Sequence, residues 1–181
     1  MERNENPFGD LLQDYVLECL PLAEQVADTF VELERRWRAD DPADAVLASL
    51  AGRLHTIKGN SAMMGLAPMR EVAHALEDAC GLLGQRPDRR DEAAAALLVT
   101  GGGLLTDLVR HAAPDLDPAA ADRYVERVRQ WLASDAARHA AMEAVRTTAE
   151  TMAATVVQMH AVEEMRRTLR EIRDVNKLDV Q

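Results

Sequence analysis

The chain has 181 residues, enough for one domain with its own core and an appendage. Apolar residues make up 48% and aromatic residues only 3%, which favours helix packed on helix, because strands draw on aromatic and β-branched side chains. A formal charge of -10 and a pI near 4.9 argue against nucleic acid and against an anionic membrane surface as partners.

No run of 18 or more apolar residues marks a transmembrane helix. The start, Met1-Glu2-Arg3-Asn4-Glu5, lacks the charged-then-apolar plan of a signal peptide. Cys19 and Cys80 both fall in helical apolar patterns rather than in C-x-x-C spacing. The expectation is a cytoplasmic protein with two buried, reduced thiols.

A first long segment carries Phe8, Leu12, Tyr15, Cys19, Leu22, Val26, Phe30, Leu33 and Trp37 at steps of three or four, a helical stripe. Pro21 falls off that stripe and is expected to kink or divide the helix. The second start is marked by Asp41 as cap, Pro42 in the first position and Asp44 in the first turn. Leu47, Leu50, Leu54, Ile57, Ser61 and Met64 then form a core stripe that stops at Gly65. Pro68 opens a third helix with the stripe Met69, Val72, Leu76, Cys80 and Leu83, and Gly84 to Asp91 reads as a polar turn.

The fourth segment, about Glu92 to His111, contains Gly101-Gly102-Gly103. No strand precedes this triplet and no Gly-Lys-Ser/Thr follows it, so it reads as a kink or a close helix contact rather than a phosphate loop. Asp117-Pro118 caps a fifth helix with Tyr124, Val128, Trp131 and Leu132, and Ser134-Asp135 restarts a long last helix to about residue 175. The fold class is therefore all-α, an antiparallel bundle of short-looped helices.

The candidate site lies on the second helix. His55 is one step off the core stripe and points outward or along the rim. Ala51 and Gly52 lie below it, Lys58 and Gly59 one turn above, then Ala62. Two glycines inside a helix cost about 1 kcal/mol each relative to alanine, which a chain accepts where something must approach the backbone closely. Neutral imidazole is a competent nucleophile near pH 7, and a nearby lysine can sit beside the oxygens of an incoming phosphoryl group. On the third helix Arg70, His74, Glu77 and Gly81 share a face flanking the core stripe. A carboxylate there, Glu77 being the candidate, could hold the Nδ1 proton and leave Nε2 free to attack. The bland alternatives are an i,i+3 surface pair for His74 and Glu77, or half of a helical metal site whose second half is not found; no metal is expected. His111, His139 and His160 read as surface residues, with His111 complementing a helix C-terminus.

The string His55-Thr-Ile-Lys58-Gly59-Asn-Ser61-Ala-Met-Met-Gly65 resembles the His-x-x-Lys-Gly-x-Ser/Ala-x-x-x-Gly signature of histidine phosphotransfer domains. His74-Ala-Leu-Glu77, which begins nineteen residues after His55, resembles the His-x-x-Glu of the amino-terminal domain of CheA-type chemotaxis kinases. The resemblance covers roughly residues 7–133. It implies a four-helix core plus a fifth helix, with His55 as phosphoacceptor, Lys58 and His74 in its polar network, and Glu77 bonded to the imidazole. A docking face of Gly52, Gly59, Ser61 and Ala62 would admit the active sites of two partners: the ATP-binding module of a histidine kinase and a CheY-like receiver domain.

Residues 134–181 depart from that pattern. Met142, Val145, Ala149, Met152, Val156 and Met159 step as in a coiled coil; the register then slips and continues through Val162, Met165, Leu169 and Ile172. A connector packed on its own bundle and a dimerisation or docking helix, through which two copies would form a homodimer, stand as equal readings. The chain contains no Gly-rich nucleotide-binding region, so no cofactor is expected and the kinase module lies elsewhere, on another chain or in a longer protein. The leading expectation is a phosphocarrier. A helical scaffold comes second, and third is a phosphatase whose tail residues Glu171, Asp174 and Asn176 would act on a regulator's phosphate.

Overall fold

The computed structural model describes residues 7–41 and 43–178, with side-chain surroundings for residues 8–41 and 43–167. Five α-helices follow one another: α1 (Pro7–Arg38), α2 (Asp44–Met63), α3 (Ala67–Gln85), α4 (Glu92–Arg110) and α5 (Ala119–Leu178), with a short 3-10 turn at Pro87–Arg89 between α3 and α4. No strand is present among the described residues. The chain falls into two units, Met1–Ala133 and Ser134–Gln181.

In the first unit α1 packs on α2 and α4, and α3 packs on α2 and α4, closing a four-helix square. Cross-helix contacts give the directions. Tyr15 meets Ser61 and Gln25 meets Arg53, while Glu24 meets Arg110 and Arg38 meets Glu92, so α1 runs antiparallel to both neighbours. The core takes Cys19, Val26, Phe30 and Leu33 from α1, Leu50, Leu54 and Ile57 from α2, Met69, Val72, Leu76 and Leu83 from α3, and Leu98, Leu105 and Val109 from α4. Phe8, at the start of the expected α1 stripe, is exposed.

Several expected boundaries shift. The α1 helix runs through Pro21 without a break. The α2 helix starts at Asp44 after Ala43 in a left-handed conformation (φ 50°). Pro42, expected as its first residue, lies outside the described residues. Asp41 still holds the entry, accepting the Ala43 N–H at 3.1 Å and the Arg36 guanidinium at 3.2 Å. Gly84 and Gln85, expected in a turn, complete the last turn of α3. The expected restart at Ser134 is absent, because α5 is one uninterrupted helix.

Gly65 does end α2, with φ at +71°. Leu66 N–H donates to the Ser61 carbonyl at 2.9 Å and Gly65 N–H to Ala62 at 3.2 Å, the paired bonds of a Schellman stop, with Leu66 buried as its apolar clasp. The glycines of α4 are a close contact. A Cβ on Gly101 would lie 2.0 Å from the Tyr124 hydroxyl, and one on Gly102 would lie 3.0 Å from the Ala27 Cα. Tyr124 enters from the first turns of α5, its hydroxyl donating to the Leu97 carbonyl at 3.1 Å. By length and composition α4 could also cross a membrane, although here its apolar positions are taken up by the bundle core. Both thiols are buried. Burial pushes the Cys80 thiol up to about 12 and raises that of Cys19, so neither is a ready nucleophile.

Candidate functional site

Helix periodicity divides the α2 motif between two environments. Leu54, Ile57 and Ser61 turn into the core; His55, Gly59 and Ala62 turn out, and Lys58 lies on the edge facing α3. The His55 side chain is 73% exposed. Nothing in the fold lies within 4 Å of a Cβ built on Gly52 or on Gly59, so these glycines leave bare helix beside the imidazole for a reason outside the bundle. Met63, two turns beyond His55 and 81% exposed, is the one large apolar group on this stretch of α2 left to solvent. Its spacing of eight residues from His55 was the available sequence signal.

Across the helix pair, Glu77 of α3 joins His55 and Lys58. Its Oε1 lies 3.4 Å from His55 Nδ1, and its Oε2 accepts a hydrogen bond from Lys58 Nζ. Partial burial pushes the Glu77 carboxyl up, but the hydrogen bond and charge of Lys58, followed by those of His55, hold it below its ordinary range. An ionised carboxylate only accepts, so the contact favours the tautomer with the proton on Nδ1 and leaves the Nε2 lone pair for chemistry. The 3.4 Å separation is long for a hydrogen bond, a common state for such contacts before a substrate tightens them.

Two expected members are not part of this cluster. His74 pairs along its own helix, its Nε2 3.7 Å from Asp78 Oδ2, and lines a groove of about 240 Å³ with Val125, Val128 and Arg129 of α5. Three residues fall short of a full helical turn, which directs Glu77 toward α2 and His74 toward α5. Ser61 is fully buried. Its hydroxyl donates to the Ile57 carbonyl at 2.6 Å and accepts from the Tyr15 hydroxyl at 2.8 Å, so it joins α1 to α2 instead of facing a partner. Asn60 adds a second link, its Nδ2 3.6 Å from Cys19 Sγ. The need of a core tyrosine for a hydrogen-bond partner was the signal that would have found Ser61.

Beside Glu77 the α2–α3 groove widens to about 520 Å³, lined by Leu47, Ala48, Ala51, Gly81 and Gly84, with Asp44 and Arg90 at its far end. Arg90 is itself anchored, donating to the Leu83 carbonyl at 3.0 Å and pairing with Asp44 at 2.6 Å. Among the described residues no group of three or more His, Cys, Asp or Glu side chains could hold a metal ion. His111 caps α4, with Nδ1 2.9 Å from the Asp107 carbonyl, while His139 and His160 are exposed.

A nucleophilic nitrogen on a bare helix face, backed by one carboxylate and one ammonium, suits receipt and release of a phosphoryl group between proteins. Comparison with curated proteins and with solved structures gave no match. The family model of the Hpt domain matches residues 10–132, which spans the four-helix square and the first turns of α5. The chain belongs to the Hpt family, whose domains carry out histidine phosphotransfer in two-component signalling.

Proposed function

We propose that His55 is the phosphoacceptor, charged by the ATP-binding module of a histidine kinase and discharged to the aspartate of a CheY-like receiver in a chemotaxis-type relay. In the first step Nε2 attacks the γ-phosphorus, the bond to the β-phosphate oxygen breaks, and ADP leaves. The ring carries positive charge while both nitrogens are substituted, and Glu77 lies beside it to stabilise that form. In the second step a receiver carboxylate attacks the same phosphorus, the N–P bond breaks, and neutral imidazole returns. Lys58 stands one turn from His55, able to neutralise phosphoryl oxygens. We assign the relay to the cytoplasm, where ATP would feed the kinase module.

The observation that carries this reading is the contact of Glu77 with both His55 and Lys58. It also supports the CheA-like branch, although His74 departs from the expected network. The test is incubation with a labelled phospho-receiver. Acid-labile, base-stable label should appear on the wild-type chain and be absent from His55→Gln, with the helical circular dichroism signal unchanged. Release of inorganic phosphate would favour a phosphatase acting through the tail. No change in either protein would favour a scaffold.

A further inference from the structure

His55, Gly59 and Met63 follow one another at intervals of four on α2, forming one surface row of the helix. The row has a side chain at each end and a gap between them. Nothing in the fold lies within 4 Å of a Cβ built on Gly59, and Met63 is more exposed than any other large apolar side chain among the described residues. Each step of the row is about 6 Å. A backbone segment laid across Gly59 beside the imidazole therefore has Met63 against its other flank. We propose, on the phosphocarrier reading of His55, that Met63 is the docking anchor for the receiver that takes the phosphate: a ridge of the receiver beside its acceptor carboxylate enters the gap over Gly59 and buries Met63.

The surroundings have the composition of an interface centre. From Gly52 to Met63 the exposed residues of α2 are Gly52, His55, Thr56, Gly59, Ala62 and Met63, none of them acidic or basic apart from the imidazole, in a chain of which 29% is charged. Arg53 and Lys58, the two cations of this stretch, turn aside to Gln25 of α1 and Glu77 of α3. Loss of charge together with methionine is what the centre of a protein interface shows, and a flexible thioether adapts to a partner's surface. The phosphotransfer signature fixes positions 55, 58, 59, 61 and 65 and leaves 63 open. The chemistry does not demand a methionine there, so this position can follow the partner.

Charge selects the receiver over the kinase module. In charging, the donor meets an uncharged ring. In discharge, the phosphoryl group on Nε2 adds about two negative charges to a chain whose formal charge is already -10, and the attacking group is itself a carboxylate. Like charges oppose that encounter, so the acceptor is the partner that most needs apolar contact beside the nitrogen.

Labelled phosphoramidate, a small donor that needs no docking surface, separates the steps. Nε2 takes its phosphoryl group as the donor's N–P bond breaks and ammonia leaves. Wild type and Met63→Ala should load equally and melt alike, since the residue is exposed. The receiver domain of the same genome that discharges the wild-type chain fastest then serves as the probe. Met63→Ala should raise the KM for that receiver by about 10-fold or more with kcat nearly unchanged, and Met63→Leu should restore it. Slower loading of Met63→Ala, an unchanged KM, a loss confined to kcat, or no recovery in Met63→Leu would each overturn the anchor. So would slower charging by the kinase module with receiver transfer intact, which would make that module the occupant. A wild-type chain that takes no label at His55 would overturn the phosphocarrier reading and the anchor with it, an outcome distinct from all the others.

Discussion

Gly59 and Gly101 both sit inside helices, yet adding a side chain should move stability in opposite directions. At Gly59 nothing lies within 4 Å of a new Cβ, so Gly59→Leu gains helix propensity of just under about 1 kcal/mol with no clash to offset it. For a unit of this size that raises the melting temperature by about 4 °C. At Gly101 a Cβ would meet the Tyr124 hydroxyl at 2.0 Å, its Cζ at 2.4 Å and Leu76 Cδ2 at 2.8 Å. Gly101→Ala gains the same propensity, about 1 kcal/mol, but overpacking costs about 1–3 kcal/mol and the displaced Tyr124 bond to Leu97 about 1 kcal/mol more. The net loss is about 1–3 kcal/mol. Transfer should follow the opposite order. Gly59→Leu holds a partner's active site away from His55, and a misplacement of about 1 Å can cost on the order of 10²-fold in rate, whereas Gly101→Ala leaves the site intact wherever the domain is folded. Thermal unfolding followed at 222 nm, with phosphate transfer timed on the same samples, reads both quantities. A Gly59→Leu chain that melts earlier, or that transfers at the wild-type rate, would refute the reasoning.

Three further outcomes follow from the same contacts. Ser61→Ala strands the buried Tyr15 hydroxyl and should cost about 1–3 kcal/mol, while Tyr15→Phe costs about 1 kcal/mol and the double variant costs less than their sum. None of these should slow transfer once the chain is folded, and a selective rate loss in Ser61→Ala would return that residue to the docking face. Glu77→Gln keeps shape but loses the anionic acceptor that Lys58 and His55 share. Phosphorylation should slow more than kinase binding weakens, and ¹⁵N shifts should show the His55 tautomer no longer biased to Nδ1–H. The Glu77 carboxyl is lower in the folded chain than its ordinary value, so its contribution to stability is present above the ordinary glutamate range and is lost as pH falls through the folded value. Acid titration of the unfolding midpoint should therefore be shallower in Glu77→Gln, and an unchanged acid limb would show that the Lys58 contact does not stabilise the fold.

Most of the bundle was legible because its helices are amphipathic. The apolar steps of α2 and α3 became buried faces, and Gly65 ended α2 for the conformational reason its position suggested. What escaped reading depended on tertiary partners. Pro21 was expected to interrupt α1, but the helix is packed on two neighbours along its length, and packing of that extent overrides a local propensity. Arg89, in a stretch that reads as polar turn, is buried with its guanidinium 5.1 Å from the Trp131 ring; only the fold brings a turn residue and an α5 residue together. The restart expected at Ser134 rested on capping residue types, which permit a helix start without requiring one. Ser61 was ambiguous from the outset, belonging to the core stripe by period and to the surface motif by spelling. A motif is a string, whereas the helix distributes it around a cylinder at about 100° per residue.

That distribution also explains how a largely exposed site holds its geometry. His55 lies between Leu54 and Ile57 along α2, and Glu77 lies between Leu76 and Cys80 along α3. Each polar residue is within three positions of side chains fixed in a close-packed interior, where a shift of a methylene's volume is resisted. The Cα positions of His55 and Glu77 are thus set by the α2–α3 packing rather than by their own weak mutual contact. Lys58 then restrains the Glu77 carboxylate, by engaging Oε2 and leaving Oε1 toward the imidazole. The bare glycine face adds nothing to the fold, so the surface toward a partner can change without disturbing the nitrogen. Stability is carried on the inward side of α2 and chemistry on the outward side, and the bond that couples them is the one from Lys58 to Glu77.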